Sequence, residues 1–312
     1  MRVNIEQAIA ILKQGEVVAI PTETVYGLAA DARNEAALKQ IYAIKERPAS
    51  NPLIVHIADI SQVNAWASAF SSLAQKLAQA FWPGPFTLVL PAKSDVSHIV
   101  RAGEPTVALR VPAHPLTQQL LKQSGMGLAA PSANKYTQLS PTCAEHVEAG
   151  LGPDVAILDG GACQVGIEST IVAVDGDDWQ LLRHGMISEA EIEKIAGKPA
   201  LTKPHYTPKA PGQHLLHYAP QTPTITFHHR ADLVTYAKTH QDSAALLIGE
   251  GALPECKYFM LANNPKEVAE HLYEALHKLD HLEHAQLLIE LPPQTEAWAA
   301  INDRLSRATY QT

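Results

Sequence analysis

The chain has 312 residues, a length typical of two domains, and its 46% hydrophobic and 18% charged content supports packed cores and argues against disorder. The net charge of −8 argues against a protein that coats nucleic acid by charge alone, although a local basic groove stays open. Three well-separated cysteines exclude a zinc ribbon and a disulfide framework, and with no signal peptide and no membrane-spanning run they predict a cytoplasmic protein.

The first two thirds of the chain alternate between helix and strand patterns. Asn4 with Gln7 three residues later is a capping-box signature. A helix opened by Asn34 must end near Arg47, because a residue that precedes proline disfavours the α conformation. The predicted helices cover 4–14, 34–47, 72–82, 114–124, 141–149 and 188–196, and the predicted strands 16–20, 53–57, 87–91, 106–111, the start of 127–134, 155–158, 168–174 and 179–183. This alternation predicts an α/β sheet, and the hairpin-like strands after residue 155 predict a mixed one.

A proline-rich stretch follows, and beyond it the alternation resumes. The prolines concentrated between residues 199 and 223 predict an extended, semi-rigid linker. The strands predicted after it are 224–228, 244–249, 258–261 and 286–291, and the helices are 231–240, 264–282 and 296–309. This pattern predicts a small open α/β domain whose parallel strands are joined by right-handed crossovers.

Candidate ligand residues lie at strand ends, since neither GxxxxGK[ST] nor GxGxxG is present. The segment KERPASNPLIVH places two cations, an amide and an imidazole around two prolines: Lys45, Arg47, Asn51 and His56. It is either a solvated helix end or an anion site, for which the planar fork of Arg47 is best suited. PTETVYGL (21–28) is either a capped turn or a polar pocket for a small zwitterion.

Further polar side chains lie among apolar ones. Arg110 falls inside TVALRVP, where a buried guanidinium needs either an internal carboxylate or an anionic ligand. APSANKYTQLSPT offers donors that could form an anion site: Ser132, Asn134 and Ser140. Ser140 before Pro141 also fits a helix cap. Weaker candidates are Glu168, Ser169, Thr170 and Arg183. His277 and His281 have metal-like i, i+4 spacing, but nothing completes a site, so a solvated face is expected.

Taken together, these segments resemble the threonylcarbamoyl-AMP synthases, whose catalytic part is the YrdC-like domain. The similarity covers nearly the whole chain and rests on GEVVAIPTETVYGLAADA, IYAIKERPASNPLIVHI, FWPGPFTLVLPA, ALRVP, APSAN with SPT, ILDGG with GIESTIV, and LLRHG. APGQHLLHYAP and AINDRLSRAT resemble the linker and last helix of the family's long form. The resemblance implies a YrdC-like twisted mixed sheet with flanking helices at 1–205, a Pro-rich linker over the active site at 206–222, and a small Rossmann-like open α/β accessory domain at 223–312.

The resemblance also implies an activity and a set of contacts. The family makes threonylcarbamoyl-adenylate from L-threonine, bicarbonate and ATP, and the product goes to a tRNA threonylcarbamoyl-transferase complex that modifies the adenosine beside the anticodon. Mg²⁺ is expected with ATP, without a permanently bound cofactor and with unknown protein ligands. The matched positions imply that the substrate threonine contacts Thr24, His56, Arg110 and Ser169. They place ATP at Arg47, Asn51, Thr106, Ala130 (through its backbone), Ser132, Asn134, Ser140, Arg183 and Tyr218, with Lys45 and Arg47 as the catalytic cations.

The implied chemistry is nucleotidyl transfer between two anions. The threonine amine takes up CO₂ or bicarbonate as a carbamate, whose carboxylate attacks the α-phosphate and displaces pyrophosphate. Positioning and charge neutralisation should supply the catalysis. The sequence departs from the family at His214, where lysine is common, at Leu215, where an aromatic residue is common, and in the loop KYTQLS, which lacks a glycine. These departures concern the lid over the site.

Three alternatives stay open. A nucleic-acid-binding module, including weak RNA binding, is disfavoured by the acidic charge and by the lack of stacking aromatics near the cations. A carbamoyl-adenylate enzyme of hydrogenase maturation would carry acylphosphatase-like and cysteine-rich zinc modules, which this sequence lacks. Residues 223–312 could regulate the site through the linker, which is compatible with catalysis.

Overall fold

The structure is a computed structural model that describes residues 1–199, 207–212 and 217–309. Its strands are β1 Arg2–Val3, β2 Val18–Ile20, β3 Gly27–Asp31, β4 Ile54–His56, β5 Phe86–Pro91, β6 Thr106–Arg110, β7 Leu128–Ala129, β8 Ala156–Leu158, β9 Thr170–Asp175, β10 Asp178–Arg183, β11 Thr224–Phe227, β12 Ser243–Ile248, β13 Lys257–Leu261 and β14 Gln286–Glu290. Its helices are α1 Ile5–Lys13, α2 Glu35–Lys45, α3 Ser72–Phe81, α4 His98–Arg101, α5 Pro115–Ser124, α6 Ala144–Leu151, α7 Glu189–Ala196, α8 Arg230–Thr239, α9 Pro265–Asp280 and α10 Ala299–Ala308. Short 3-10 helices occupy Ile60–Ala65 and Glu296–Trp298.

The first ten strands form one mixed sheet in the order β1-β8-β2-β3-β7-β4-β6-β5-β9-β10. β4 and β6 run parallel with His56 directly beside Arg110, whereas β7 pairs antiparallel with both β3 and β4. β9 and β10 form the predicted hairpin. The predicted mixed α/β class is therefore confirmed, and the sheet register brings two predicted site residues together.

The remaining strands form a separate, entirely parallel sheet in the order β11-β14-β12-β13. This confirms the small open α/β unit that the sequence predicted. None of the described helices combines the length and apolar character needed to cross a bilayer. His214 and Leu215 lie outside the described residues, as does part of the linker, so the predicted domain boundaries stay predictions.

Local sequence signals account for several element ends. The Asn4 side chain accepts from the Gln7 N–H, and the Gln7 side chain accepts from the Asn4 N–H, so the predicted capping box is present. Residues 21–28, predicted as a capped turn or a polar pocket, run into a strand that the sequence did not predict, because β3 already begins at residue 27. The helix predicted from residue 141 begins at Ala144 with Cys143 before it, so Ser140 does not cap it.

A second hydrophobic core extends from the C-terminal sheet and its helices to loops of the first part. Val25, Leu139 and Ile167 come from loops of the first part, and they pack in one buried cluster with Tyr273 and Leu276 of α9. The burial of these side chains removes apolar surface of both parts from water. The C-terminal unit (β11 to α10) is thus packed directly on the loops that follow β2 and precede β9.

His277 contradicts the solvated face expected for the α9 histidines. Its ring stacks on His146 with 3.9 Å between ring centroids, and its Nε2 lies 3.1 Å from the Ser140 carbonyl oxygen. Within the part of the chain that the structure describes, no three His, Cys, Asp or Glu side chains are grouped to hold a metal ion. His277 therefore packs between the two parts, whereas His281 is exposed, as expected.

Candidate active site

A pocket opens where the loops after β2 and β7 and before β9 meet the ends of β4 and β6. Such a concave site with a few convergent polar groups is typical of a small-molecule site. Nine predicted residues line it: Thr24, Arg47, His56, Arg110, Ala130, Ser132, Ser169, Arg183 and Tyr218. Five do not: Lys45, Asn51, Thr106, Asn134 and Ser140. Thr106 lies at the far end of β6 from Arg110, opposite Pro91.

Arg110 forms the internal salt bridge that the sequence left open, and it also lines the pocket. Its Nη2 donates to Glu23 Oε1 at 2.7 Å, its Nη1 to the Thr24 hydroxyl at 2.9 Å, and its Nε to the Gly84 carbonyl at 3.1 Å. The second Glu23 oxygen accepts from the Ala113 N–H at 3.0 Å. A guanidinium has five N–H donors, so two are left without a partner among the described residues. Arg110 is thus fixed in orientation while keeping donors for a ligand.

His56 supplies a neutral polar group next to this guanidinium. Burial, and after it the charge of Arg110, lowers the pKa of His56 to about 3. Its Nδ1 is buried and has no hydrogen-bond partner in the described part of the protein. Because buried polar atoms are normally paired, this nitrogen is a candidate contact for a bound ligand.

Arg47 and Arg183 are buried cations without carboxylate partners among the described residues. The Arg47 Nη2 donates to the Pro52 carbonyl at 3.0 Å, whereas its buried Nε has no partner there. Arg183 donates to the Ser169 carbonyl, the Ser169 hydroxyl and the Pro211 carbonyl at 3.0, 3.1 and 3.2 Å. Carbonyl oxygens orient a guanidinium without neutralising it, so both remain suited to phosphate or carboxylate.

Lys45 does not line the pocket but holds a loop that forms part of its wall. Its ammonium donates to the carbonyls of Ser132 and Asn134, both at 2.6 Å, and burial lowers its pKa well below the ordinary value. Asn134 uses its side-chain amide within its own loop, and the Asn51 amide donates to the Tyr136 hydroxyl at 3.2 Å. In this structure these predicted contact residues therefore hold the loop after β7 in place.

Glu168 is the one carboxylate among the described residues that line the pocket, and its oxygens are occupied. They accept from the Ser140 hydroxyl at 2.5 Å, from Arg304 Nε at 2.7 Å and from the Tyr273 hydroxyl at 3.1 Å. Burial alone would raise the pKa of Glu168, but the charges of Arg304 and Arg183 and the hydrogen bonds from Ser140 and Arg304 hold it below its ordinary value. Ser140 therefore supports Glu168 and does not itself line the pocket.

The linker closes one side of the pocket through Gly212 and Tyr218. Tyr218 is 1% exposed, and its hydroxyl has no hydrogen-bond partner among the described residues. Gly212 has a φ of +84°, and a Cβ there would collide with that hydroxyl and press on Arg183. Only glycine allows the linker backbone to come this close at this dihedral angle.

Two family models match the chain. The Sua5/YciO/YrdC model, described as telomere recombination, matches residues 10–185, and the threonylcarbamoyl-AMP synthase C-terminal domain matches residues 187–309. A threonylcarbamoyl-AMP synthase of Bacillus subtilis is 40% identical across 98% of this chain and 92% of its own length. The chain belongs to the threonylcarbamoyl-AMP synthase family. A member from Pyrococcus abyssi is 38% identical across 98% of this chain and 94% of its own.

Solved structures agree with this family assignment. P. abyssi Sua5, crystallised with L-threonine, superposes with a TM-score of 0.89 at 35% identity, covering 99% of this chain and 96% of that one. The predicted two-part, long-form architecture is therefore confirmed. Full-length HypF is 19% identical with a TM-score of 0.51, and this chain covers 29% of it, so the likeness is one of fold alone. As a threonylcarbamoyl-AMP synthase family member, the chain is an enzyme of the nucleotidyltransferase type from a family that serves tRNA modification.

Sequence reasoning missed the residues that support the site from outside. Glu23 lies within the quoted PTETVYGL segment, and its position between two threonines was the available signal. Arg304 lies in AINDRLSRAT, a segment that the sequence identifies only as similar to the family's last helix and to which it assigns no role in the site. Tyr273 carries no signal, because its partner is 105 residues away.

Proposed function

We propose that the protein makes threonylcarbamoyl-adenylate from L-threonine, bicarbonate and ATP and releases pyrophosphate. The observation that carries this proposal is the meeting of three buried arginines and a neutral histidine in one pocket. The carbamate and the nucleotide are both anions, and guanidinium groups bind carboxylate and phosphate through paired hydrogen bonds. The family assignment supports the same reaction.

The amino acid is proposed to lie against Thr24, His56, Arg110 and Ser169. Arg110 offers its two remaining N–H donors to the threonine carboxylate, in the orientation that Glu23 and Gly84 fix. His56 is neutral, so it contacts the substrate without repelling the ammonium group of threonine. The threonine complex of the P. abyssi relative supports an amino-acid site in this family.

The nucleotide is proposed to take the other side of the pocket. Arg47 and Arg183 bind phosphate oxygens, and the Tyr218 ring covers the nucleotide from the linker side. The carbamate carboxylate then attacks the α-phosphate, and positioning with charge neutralisation lowers the barrier. The other proposed ATP contacts on the pocket wall are the Ala130 backbone and Ser132. Asn51, Thr106, Asn134 and Ser140, with catalytic Lys45, stay predictions that lack direct support from the lining.

Mg²⁺ is proposed to enter with ATP as part of the substrate. At nucleotide sites this ion keeps several waters and binds mainly through the phosphates, so the protein needs to supply few ligands. Glu168, the carboxylate of the described pocket lining, already accepts from Ser140, Tyr273 and Arg304. The pocket residues therefore fit a metal that is held by the substrate rather than by a dedicated protein cage.

The product is proposed to pass to a tRNA threonylcarbamoyl-transferase complex that modifies the adenosine beside the anticodon. A cytoplasmic location fits that destination and stays a prediction. Direct contact with RNA is a separate hypothesis, and salt-dependent RNA binding without ATP turnover would favour it.

The deciding experiment incubates the purified protein with ATP, threonine and bicarbonate, omits each in turn, and measures pyrophosphate. We expect release to need all three, and mass spectrometry to find the adenylate. Thr24→Val is a useful companion variant, because it removes the hydroxyl that accepts from Arg110 while keeping the shape of the side chain. Pyrophosphate release that does not depend on threonine would refute the proposed reaction.

A further inference from the structure

Glu168 receives its counter-ion from the other part of the chain. Arg304, on the last helix, is 1% exposed and donates both to the Glu168 carboxylate and to its backbone carbonyl, at 2.7 and 3.3 Å. Tyr273 of α9 adds a second donor. The carboxylate belongs to the pocket wall, yet the cation that neutralises it comes from the C-terminal unit.

A second buried cation, Arg183, lines the same pocket as this carboxylate. Arg183 donates two hydrogen bonds to Ser169, the residue that follows Glu168. Among the described residues, Arg183 has no ion-pair partner. The charges of Glu168 and Arg183 act on each other, as their opposite effects on one another's pKa indicate. If Arg304 were absent, Arg183 would be the remaining arginine whose charge acts most on the buried carboxylate, and a buried charge needs a partner.

The packing around Arg304 leaves little freedom for rearrangement. Its guanidinium lies 5.1 Å from the centre of the Tyr218 ring, a cation–π distance, so one side chain supports both the wall and the linker. Gly166, two residues before Glu168, has a φ of +77°, and a Cβ there would collide with the Ala269 and Glu270 carbonyls of α9. The loop that carries Glu168 is therefore held against the C-terminal unit by its backbone as well as by its charge.

We propose that Arg304 is a positioning residue that keeps Glu168 away from Arg183 and so leaves the Arg183 charge available to a bound polyphosphate. The C-terminal unit then sets the anion affinity of a pocket to whose described lining β11 to α10 contribute no side chain. That the polyphosphate is ATP rests on the proposed function. The arrangement of the three side chains does not depend on that identification.

The test measures the binding of two probes, pyrophosphate and Mg-ATP, by titration calorimetry without threonine. Arg304→Met should weaken both by about tenfold, because the freed carboxylate competes for Arg183. Arg304→Met combined with Glu168→Gln should restore both to within about threefold of wild type, because no competing carboxylate remains. A purely structural role for Arg304 does not produce this rescue.

Arg230→Met is the matched control. Arg230 also forms a largely buried ion pair, with Glu290 at 2.5 Å, but it lies wholly within the C-terminal unit. This variant should lose stability without changing the affinity for pyrophosphate. Tyr273→Phe provides a milder perturbation that keeps the ring packing, and it should weaken pyrophosphate binding in the same direction by a smaller factor.

The outcomes separate cleanly. Unchanged pyrophosphate affinity in folded Arg304→Met, or a double variant that binds no better than the single one, overturns the proposal. If Arg304→Met does not fold, wild-type affinity in Tyr273→Phe overturns it instead. Turnover of the wild-type protein with threonine decides the proposed function independently, because pyrophosphate binding does not require that reaction.

Discussion

Replacing Glu23 by alanine should leave Arg110 buried without its carboxylate. The side chains of the pair are 5% and 7% exposed, and Glu23 also accepts from the Ala113 N–H. Removing one partner of a buried ion pair costs about 3–5 kcal/mol, because the remaining charge stays desolvated. At an m value of about 3 kcal/mol per molar urea, the unfolding midpoint should fall by about 1–1.7 M.

Urea unfolding followed by tryptophan fluorescence measures this change. Asp95→Ala is the control, because Asp95 pairs with Arg33 at 3.4 Å on the surface, and such pairs contribute about 0–1 kcal/mol. Threonine should also bind more weakly to Glu23→Ala, since the orientation of Arg110 is no longer fixed. If Glu23→Ala and Asp95→Ala shift the midpoint equally, the reasoning about the buried pair is refuted.

Three other changes test the site and its surroundings. Arg47→Ala should reduce threonine-dependent pyrophosphate release by about 100-fold or more while costing at most about 2 kcal/mol of stability, and normal turnover would contradict its phosphate role. Lys45→Met should lower stability by about 2 kcal/mol and raise the KM for ATP, because two hydrogen bonds to the loop after β7 are lost; an unchanged KM would show that the loop does not need them. Burial lowers the pKa values of His56 and His146 from 6.5 to about 3 and about 4. Their contribution to the free energy of unfolding should therefore be fully present above pH 6.5. It should be lost as the pH falls toward those values, by about 1.4 kcal/mol per pH unit per histidine. Thermal melts that do not change between neutral pH and pH 5 would contradict this.

The sequence predicts those structural features that depend on residues close together in the chain. The capping box at Asn4 and the end of α2 before Pro48 follow from residues within one or two helical turns, and both are present. β3 was missed because its residues, GLAAD, are small and lack β-branching, so only its pairing with β2 and β7 makes it a strand.

Contacts between distant residues lie beyond such patterns. Glu23 and Arg110 are 87 residues apart, and Glu168 and Arg304 are 136 apart. The family resemblance supplied candidate residues, and nine of them line the pocket. It could not supply the direction in which Lys45 and Ser140 point, because that direction is set by the carbonyls and the carboxylate that the fold places around them.

The hydrophobic core that connects the C-terminal unit to loops of the first part limits how these parts can be exchanged between relatives. Val25 and Ile167 pack against the C-terminal unit, and each is the immediate neighbour of a pocket residue, Thr24 or Glu168. Substitutions in α9 and substitutions in the pocket are therefore not independent of one another. A chimaera that exchanges the C-terminal unit with that of a relative should work only when the short loops around Val25 and Ile167 are exchanged with it.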